Sequence, residues 1–322
     1  MKRLSAAVLL SVLGLPAHAT PLAQATPPAT AIPPANSTAA RIWVSHRGND
    51  SGFCGPAEAP CRSLQFAHDK VSNGGEVVVL DGGSYGAVQI TKPISIVNEG
   101  AGVATVGAPA GGTAVTIDTT GAVVLRGLHI DGGANGSWGV YMKGGRSLEI
   151  SNCSIEKMVQ SAVVVEVKND VAFTIRDTDI SLSGSALVTA AAANMYGLIE
   201  RVNIANTWSA VLLYGGGPGY VANVTARDVS IAHSQADGFM TFGPELFIFD
   251  SRVVVDHMAG AGNVIGVHAH GGKIHLANTT ITGADAGVSI EAGGVVDSAG
   301  DNVLVGNVKD VVGGTLGVLP KQ

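Results

Sequence analysis

The chain has 322 residues, of which 44 are glycine and 5% are aromatic, and its formal net charge at pH 7 is −6. This length permits a sizeable hydrophobic core, and abundant glycine with few aromatic side chains is typical of folds with many tight turns and closely stacked backbones. Because the chain is mildly acidic and has no run of basic residues, we expect no nucleic-acid partner.

The N-terminal 40 residues read as a targeting segment followed by a linker. Residues 1–19 begin with Lys2 and Arg3, continue with an apolar stretch and end in the small-x-small pattern Ala-His-Ala. The stretch is too short to span a bilayer comfortably. We therefore predict a signal peptide, export to the periplasm or the extracellular space, and no membrane insertion. Residues 20–40, rich in Pro, Ala and Thr, are predicted to be a flexible linker before a folded domain at 41–322.

Two of the three cysteines lie close together near the start of the folded domain. Cys54 and Cys61 occupy a loop rich in Gly and Pro, and an exported protein meets an oxidising compartment, so we predict a disulfide between them. A zinc site is the alternative, but no neighbouring Cys or His completes its ligand set. Cys153 lies inside a repeat, where we expect a small buried hydrophobic side chain.

A short motif recurs along the chain at a near-constant spacing. It reads apolar, any, small polar, any, any, Ile or Val, and its copies lie about 25 residues apart, the spacing of a solenoid. The copies end at Ile130, Ile155, Ile180, Ile204, Ile231, Val254 and Ile281. Seven strand-like segments, each with Gly or Ala at its second position, independently repeat at the same period. Their Val, Ile and Thr content and their period-two alternation favour strands over helices.

A column of mostly Gly, Asn and Asp precedes each terminal Ile or Val by three residues. These residue types tolerate a left-handed backbone. The column contains Gly127, Asn152, Asp177, Arg201, Asp228, Ser251 and Asn278. A tight bend there separates two short strands, so we predict three strands in each coil and about ten coils.

These repeats and the segment before them resemble right-handed parallel β-helix proteins of the pectin-lyase-like superfamily. The N-terminal part of the resemblance lies in Ile42-Trp43-Val44-Ser45, Gly48-Asn49-Asp50, Pro60-Cys61-Arg62-Ser63-Leu64-Gln65-Phe66-Ala67, Gly74-Gly75-Glu76-Val77-Val78-Val79-Leu80 and Gly83-Ser84-Tyr85. The resemblance covers roughly residues 41 to 315. It implies an all-β, single-stranded right-handed parallel β-helix with coils of about 25 residues. Ser63 can cap a short helix ending near Val71, which would cover the open N-terminal end of the solenoid.

Alternation along the strands that begin with Gly or Ala assigns two columns of side chains to solvent. The first column is Tyr141, Val164, Val188, Leu212, Met240, His268 and Ser289. The second column is Lys143, Glu166, Ala190, Tyr214, Phe242, His270 and Glu291. The resemblance implies that this strand lines a substrate groove.

The later coils concentrate the candidate ligand-binding residues, which are Tyr214, Phe242, His268 and His270. The first two rings and His270 are consecutive in the second column, and flat rings on a solvent-facing surface suit stacking against sugars. The alternative is a stack of rings that only stabilises the sheet. We expect all four side chains to be partly exposed and close to one another.

The longest connection into these strands, residues 254–267, carries Asp256 and His257. Long loops on a rigid scaffold often carry function, although an insertion can also be merely tolerated. With His268 and His270 these residues would form an acid–base cluster or a metal site. Exposed histidines without a function are the alternative. We name all four as catalytic candidates and predict neither a bound metal nor a cofactor.

The residues that are missing from the outward columns limit the chemistry. The calcium-dependent pectate lyases of the superfamily need clustered carboxylates and a basic residue, and glycoside hydrolysis needs two carboxylates flanking the bond. The outward columns offer only Glu166 and Glu291, far apart along the chain. The sequence therefore favours a protein that binds or acts on a polysaccharide, a lyase or another carbohydrate-active type if it is an enzyme. The alternative is a structural or surface-interaction β-helix without catalysis.

Overall fold

Parallel strands wind around one core in the computed structural model, which describes residues 39–133, 135–215, 219–256 and 264–319. Strand β1 begins at Ala39. The predicted signal peptide and most of the predicted linker lie outside the described residues. The strands form three ladders, a ladder being a set of strands hydrogen-bonded to one another along the solenoid axis, and from β4 onward the chain visits the ladders in turn.

Ladder 1 is a ten-stranded parallel sheet formed by the Gly/Ala-led segments and their equivalents. Its strands are β4 (Val88–Ile90), β7 (Thr113–Asp118), β10 (Trp138–Gly144), β13 (Ser161–Val165), β15 (Ser185–Ala191), β17 (Ser209–Gly215), β20 (Asp237–Phe242), β23 (Ile265–His270), β26 (Ala286–Glu291) and β29 (Lys309–Val312).

Ladders 2 and 3 share a second sheet of 20 strands. Ladder 2 contains β1 (Ala39–Val44), β2 (Val71–Val79), β5 (Ile94–Val97), β8 (Ala122–Arg126), β11 (Ser147–Ser151), β14 (Val171–Ser181), β16 (Met195–Ala205), β18 (Ala222–Arg227), β21 (Glu245–Phe249), β24 (Lys273–Ala277), β27 (Val295–Ser298) and β30 (Gly317–Val318). Ladder 3 contains the C-terminal halves of β14 and β16 together with β3 (Gly83–Ser84), β6 (Ala104–Gly107), β9 (Leu128–Asp131), β12 (Ser154–Glu156), β19 (Ser230–Ser234), β22 (Arg252–Val255), β25 (Thr280–Thr282) and β28 (Val303–Val305).

The predicted three-strand coil is confirmed, because the chain passes through ladders 1, 2 and 3 in turn, as in β10, β11 and β12. The solenoid has about nine turns of about 24 residues each, against the ten coils of 25 residues that the sequence predicted. The ten strands of ladder 1, from β4 to β29, are separated by nine full turns. Residues 39–79 supply β1, a helix and β2, but no strand of ladder 1, which begins at β4.

The core consists of side chains stacked in register from one coil to the next. In ladder 1, Val140 pairs with Val163 and Val163 with Leu187, so that like positions lie directly over one another. The whole inward column is at most 1% exposed and is formed by Val140, Val163, Leu187, Val211, Phe239, Val267 and Val288. Full burial of such a side chain contributes about 1.5–3 kcal/mol relative to exposure. Repetition of this column stabilises the stack of coils.

Left-handed residues form the bend between ladders 2 and 3, as the Gly, Asn and Asp column predicted. Asn152 has φ 51° and Asp177 has φ 50°. The prediction is wrong by one residue in one coil, where Asp250 (φ 50°) and not Ser251 takes the left-handed position. In that coil Val253 is the buried residue in register with its neighbours, so the motif ends one residue earlier than the sequence suggested.

The predicted N-terminal helix is confirmed as α1 (Leu64–Lys70). Ser63 is its N-cap, because the Ser63 hydroxyl accepts a hydrogen bond of 3.2 Å from the backbone N–H of Phe66. Leu64 and Ala67 are fully buried, and the helix packs on β1, β2 and β4. It therefore covers the core where the first turn begins. Within the described residues, no helix has the length and apolar character needed to cross a membrane.

The cysteines behave as the sequence predicted. Cys54 and Cys61 form a disulfide with an S–S distance of 2.02 Å, in the loop before α1. Cys153 is a free thiol that is 4% exposed, and burial raises its pKa to about 11. The thiol is therefore protonated at neutral pH and packs as a small apolar side chain.

A partly buried polar network ties the N-terminal strands together around Asp81. Its carboxylate accepts hydrogen bonds from the Ser45 hydroxyl (2.6 Å), the His46 backbone N–H (2.8 Å) and the Tyr85 hydroxyl. Desolvation of the carboxylate opposes its ionisation, but these hydrogen bonds outweigh that effect and hold the pKa of Asp81 well below its usual value. The same pairing, together with burial, raises the pKa of Tyr85.

Candidate functional site

The outward surface of ladder 1 follows the two predicted columns. In the second column Lys143, Glu166, Ala190 and Tyr214 are exposed, as is Glu291. The first column is flatter and less exposed, because its central members are Val, Leu and Met side chains that cover the sheet. The surface that a ligand can reach is therefore formed mainly by the second column.

Two of the candidate rings stack on each other. The ring centroids of Tyr214 and Phe242 are 4.4 Å apart, and their planes differ by 7°. The Phe242 ring also contacts His270, with centroids 4.9 Å apart and an interplanar angle of 54°. The sequence suggested flat rings open to solvent. In the structure one face of Tyr214 is covered by Phe242, because register places the two side chains directly over each other on strands β17 and β20.

The other face of Tyr214 points toward the preceding coil, where its register partner is Ala190. The alanine side chain is too small to cover a ring, and Tyr214 stays 38% exposed. One coil further back, the Glu166 carboxylate accepts a hydrogen bond from the Tyr141 hydroxyl, which draws it away from Ala190. This bond, with burial, raises the pKa of Tyr141 to about 12. We call the space over Ala190, between Glu166 and Tyr214, the notch.

His268 is nearly buried, although it belongs to an outward column. Its side chain is 8% exposed, with Asp237 Oδ1 at 3.2 Å from Nδ1 and Glu291 Oε2 at 3.6 Å from Nε2. Our expectation of partial exposure is wrong for this residue, because carboxylates from the neighbouring coils and the His270 ring lie against it. Burial opposes protonation, but the hydrogen bond to Asp237 and the two nearby carboxylates outweigh it and raise the pKa of His268.

Glu291 joins both strand histidines. Its Oε2 lies 3.6 Å from His268 Nε2 and 3.7 Å from His270 Nδ1, and its Oε1 accepts a hydrogen bond of 2.9 Å from the Ser289 hydroxyl. This hydrogen bond, opposed by desolvation and assisted by the nearby histidines, lowers the pKa of Glu291. The carboxylate is therefore ionised at neutral pH and faces two imidazole nitrogens.

The loop candidates do not join this cluster in the described structure. Asp256 lies at the end of β22, where its carboxylate is 2.9 Å from the Nδ1 of His233, an exposed residue of ladder 3. His257 lies outside the described residues. The structure thus brings together Tyr214, Phe242, His268 and His270, and it pairs Asp256 with a histidine that sequence reasoning had not considered.

Sequence reasoning missed Asp237 and Glu291 as partners of His268. Asp237 stands at the start of β20, at a position that serine occupies in other coils, such as Ser185 and Ser209. The sequence signal for this contact was an aspartate in place of the usual serine, one coil before the coil that carries His268. Glu291 was expected to be isolated, but its side chain turns back toward the preceding strand.

A further shallow groove of about 560 Å³ lies along the left-handed bends. Asn152, Asp177 and Asp179 line it beside backbone glycines, and the ring that contributes to it is the imidazole of His129. Strand curvature at the bend accounts for such a groove. In the notch on ladder 1, by contrast, one face of the Tyr214 ring lies next to the small side chain of Ala190 and is open to solvent.

Comparison with known proteins identifies a family that matches this chain and solved structures with a similar fold. The family described as "right handed beta helix region" matches residues 113–308. No curated protein matches the chain.

Solved structures that are similar to this chain include a pectate lyase and a glucanase. The crystal structure of pectate lyase Pel9A has a TM-score of 0.51 and 15% sequence identity, with 86% of this chain and 76% of that chain covered. The catalytic unit of a thermostable GH87 α-1,3-glucanase from Streptomyces thermodiastaticus strain HF3-3 has a TM-score of 0.31 and 16% identity, with 74% and 65% covered. At this identity the similarity to the pectate lyase is evidence for the fold alone.

Proposed function

The chain belongs to the right-handed β-helix family, and from that premise we propose that it binds a neutral polysaccharide along the outward surface of ladder 1. The observation that carries the proposal is the uncovered face of Tyr214 over Ala190. A sugar ring seated in the notch would stack on the phenol and rest on the alanine. Further sugars of a chain would lie along the second column in either direction.

The charges around the notch favour a neutral chain over a polyuronate. Glu166 lies on one side of the notch, and Asp237 is close enough to Tyr214 for its charge, after burial, to raise the pKa of the phenol. Lys143 is the nearest basic residue of the second column, and its ammonium lies 4.9 Å from the Tyr141 ring. An anionic polymer would therefore meet mostly carboxylates. The pectate lyase of the same fold supports a polysaccharide ligand by analogy, but not the choice of polyuronate.

Binding, and not turnover, is the activity we propose. We also propose that the protein is exported. The Lys-Arg start and apolar stretch of residues 1–19 have the pattern of a signal peptide. The disulfide between Cys54 and Cys61 suits an oxidising compartment.

The test is calorimetry of the purified protein with a panel of neutral glucans, galactans and xylans, and with polygalacturonate. We expect a neutral chain to bind, polygalacturonate not to bind, and Tyr214→Ala to weaken binding. His233→Ala is the matched control, because it removes an exposed ring that belongs to ladder 3 and to neither outward column of ladder 1. Assays for reducing ends and for unsaturated uronates, run in parallel, separate binding from hydrolysis and from lysis.

The second candidate function is a scaffold without a ligand, and the Tyr214–Phe242 stack favours it. Such a stack is worth about 0.5–1.5 kcal/mol beyond area burial. On this interpretation Tyr214→Ala lowers thermal stability and no glycan binds to either protein.

A further inference from the structure

Two nitrogen atoms and one carboxylate oxygen converge at the end of the ring stack. They are His268 Nε2, His270 Nδ1 and Glu291 Oε2, and all three lie within 4.8 Å of one another. The carboxylate oxygen is 3.6 Å from the first nitrogen and 3.7 Å from the second. Both distances are too long for a hydrogen bond.

Among the described residues, neither nitrogen has another hydrogen-bond partner. His268 Nε2 and His270 Nδ1 are both shielded from solvent and unpaired, and the His268 side chain is 92% buried. A buried polar atom without a partner is uncommon in native proteins and calls for an unseen ion or water. Asp237 accepts from His268 Nδ1, which fixes the proton on that nitrogen when the ring is neutral. The lone pair on Nε2 then faces a carboxylate oxygen, and two such electron-rich atoms repel unless a proton or a metal ion lies between them.

We propose that His268 Nε2, His270 Nδ1 and Glu291 Oε2 bind one Zn²⁺ ion. Two imidazoles and one carboxylate are a common zinc ligand set, with a fourth position left for water or another oxygen ligand. Zinc bonds of about 2.0 Å in tetrahedral geometry place ligand atoms about 3.3 Å apart. The two measured separations exceed this by only a few tenths of an ångström.

The surroundings suit a metal site open on one side. Asp237 would be the outer carboxylate that orients a ligating histidine, a role that commonly accompanies zinc-bound imidazoles. His270 is 40% exposed and Glu291 is 49% exposed, so the ion could enter from solvent and its fourth position would face outward. This inference does not rest on glycan binding. It also revises the sequence-based expectation of no metal, which was made with Glu291 taken as distant.

A second cluster has the same residue types but already holds a cation of its own. His129, Asp131 and Glu156 offer three ligand atoms close together. The Lys157 ammonium lies 2.5 Å from the Glu156 carboxylate and 3.7 Å from that of Asp131. This ammonium already pairs with both carboxylates and offsets one of their two negative charges, so we propose no ion there. The cluster supplies a control.

The experiment is titration of chelator-treated, dialysed protein with ZnCl₂, followed by calorimetry and by metal analysis after gel filtration. We expect one Zn²⁺ per chain, with His270→Ala and Glu291→Gln each weakening binding at least tenfold. Both side chains are partly exposed, so the variants should keep the wild-type circular dichroism and melting behaviour without metal. Substitution with Co²⁺ should give the visible bands of a tetrahedral site, and Ca²⁺ or Mg²⁺ at equal concentration should not compete, because they prefer oxygen ligands.

His129→Ala and His233→Ala are the controls and should leave both the stoichiometry and the affinity for Zn²⁺ unchanged. The proposal is overturned if the folded wild-type protein binds no Zn²⁺, or if His270→Ala and Glu291→Gln bind it as tightly as wild type. In either case His268 would instead be an imidazolium held between Asp237 and Glu291.

Discussion

Filling the notch should weaken glycan binding without harming the fold. Ala190→Tyr would place a third ring next to Tyr214, in register with it, and cover the face that we assign to the sugar. Ala190 is exposed on the outward side of β15, so the new side chain meets no core atoms. The variant extends the ring stack by one coil.

The expected magnitude follows from the exposure of Tyr214. A tyrosine buries about 150–250 Å² when it is fully covered, and Tyr214 is 38% exposed, which leaves roughly 60–95 Å² for a ligand. At about 25 cal/mol per Å², a sugar that covers most of this surface gains about 1–2 kcal/mol. Loss of the contact should therefore raise Kd about 5- to 30-fold. A further ring–ring contact adds about 0.5–1.5 kcal/mol of stability, so the melting temperature should rise.

The assay is calorimetry with the tightest-binding neutral glycan, paired with thermal unfolding of each variant. Ala190→Ser is the control, because it keeps the notch open, and it should bind within about twofold of wild type since surface substitutions usually change free energies by less than about 0.5 kcal/mol. Unchanged affinity in Ala190→Tyr would refute the assignment of the notch, whatever happens to stability. Reduced affinity together with a raised melting temperature would separate the binding role of Tyr214 from its packing role.

Three further predictions concern the scaffold. Replacing Cys54 and Cys61 by serine should lower the free energy of unfolding, measured in urea, by about 2.5 kcal/mol, because the loop that the disulfide closes is short. Denatured, unreduced wild-type protein should contain one titratable thiol, and three thiols would disprove the pairing. Because the pKa of Asp81 is lower in the folded state, the contribution of Asp81 to stability is present above pH about 4 and is lost as pH falls below that value. The free energy of unfolding of Asp81→Asn should therefore depend less on pH below about 4 than that of wild type. The same pH dependence in both proteins would contradict this. Asn152→Val should lower the free energy of unfolding of the protein by about 1–2 kcal/mol, because valine must adopt the left-handed backbone of residue 152. Asn152→Gly should have nearly the stability of wild type. Equal stabilities of the two variants would refute the bend assignment.

The coil architecture was predictable because every coil repeats the same physical requirements. A left-handed residue is needed at each bend, and an aliphatic residue is needed at each inward position, so errors in one coil do not spread to others. The one slip, Ser251 for Asp250, came from two adjacent valines, either of which fits the motif. Only the pairing of Val253 with its neighbours resolves that choice.

The arrangement of the candidate site was less predictable than the coil architecture, because it depends on the directions in which the side chains point. Register alone predicted that Tyr214 and Phe242 are neighbours, but not that their rings lie parallel and cover each other. The link between His268 and Glu291 also depends on side-chain direction, because the glutamate is one coil away and two residues beyond Ser289, the register partner of His268. Asp256 shows the converse, since the structure joins it to His233 and not to the strand histidines.

The most direct test of the central claim is a crystal structure of the protein with an oligosaccharide of the tightest-binding neutral glycan. Our account predicts electron density for a sugar ring over Ala190, stacked on the free face of Tyr214, with the chain continuing along the second column. Density for the sugar at another surface, or an empty notch at saturating ligand, would contradict it.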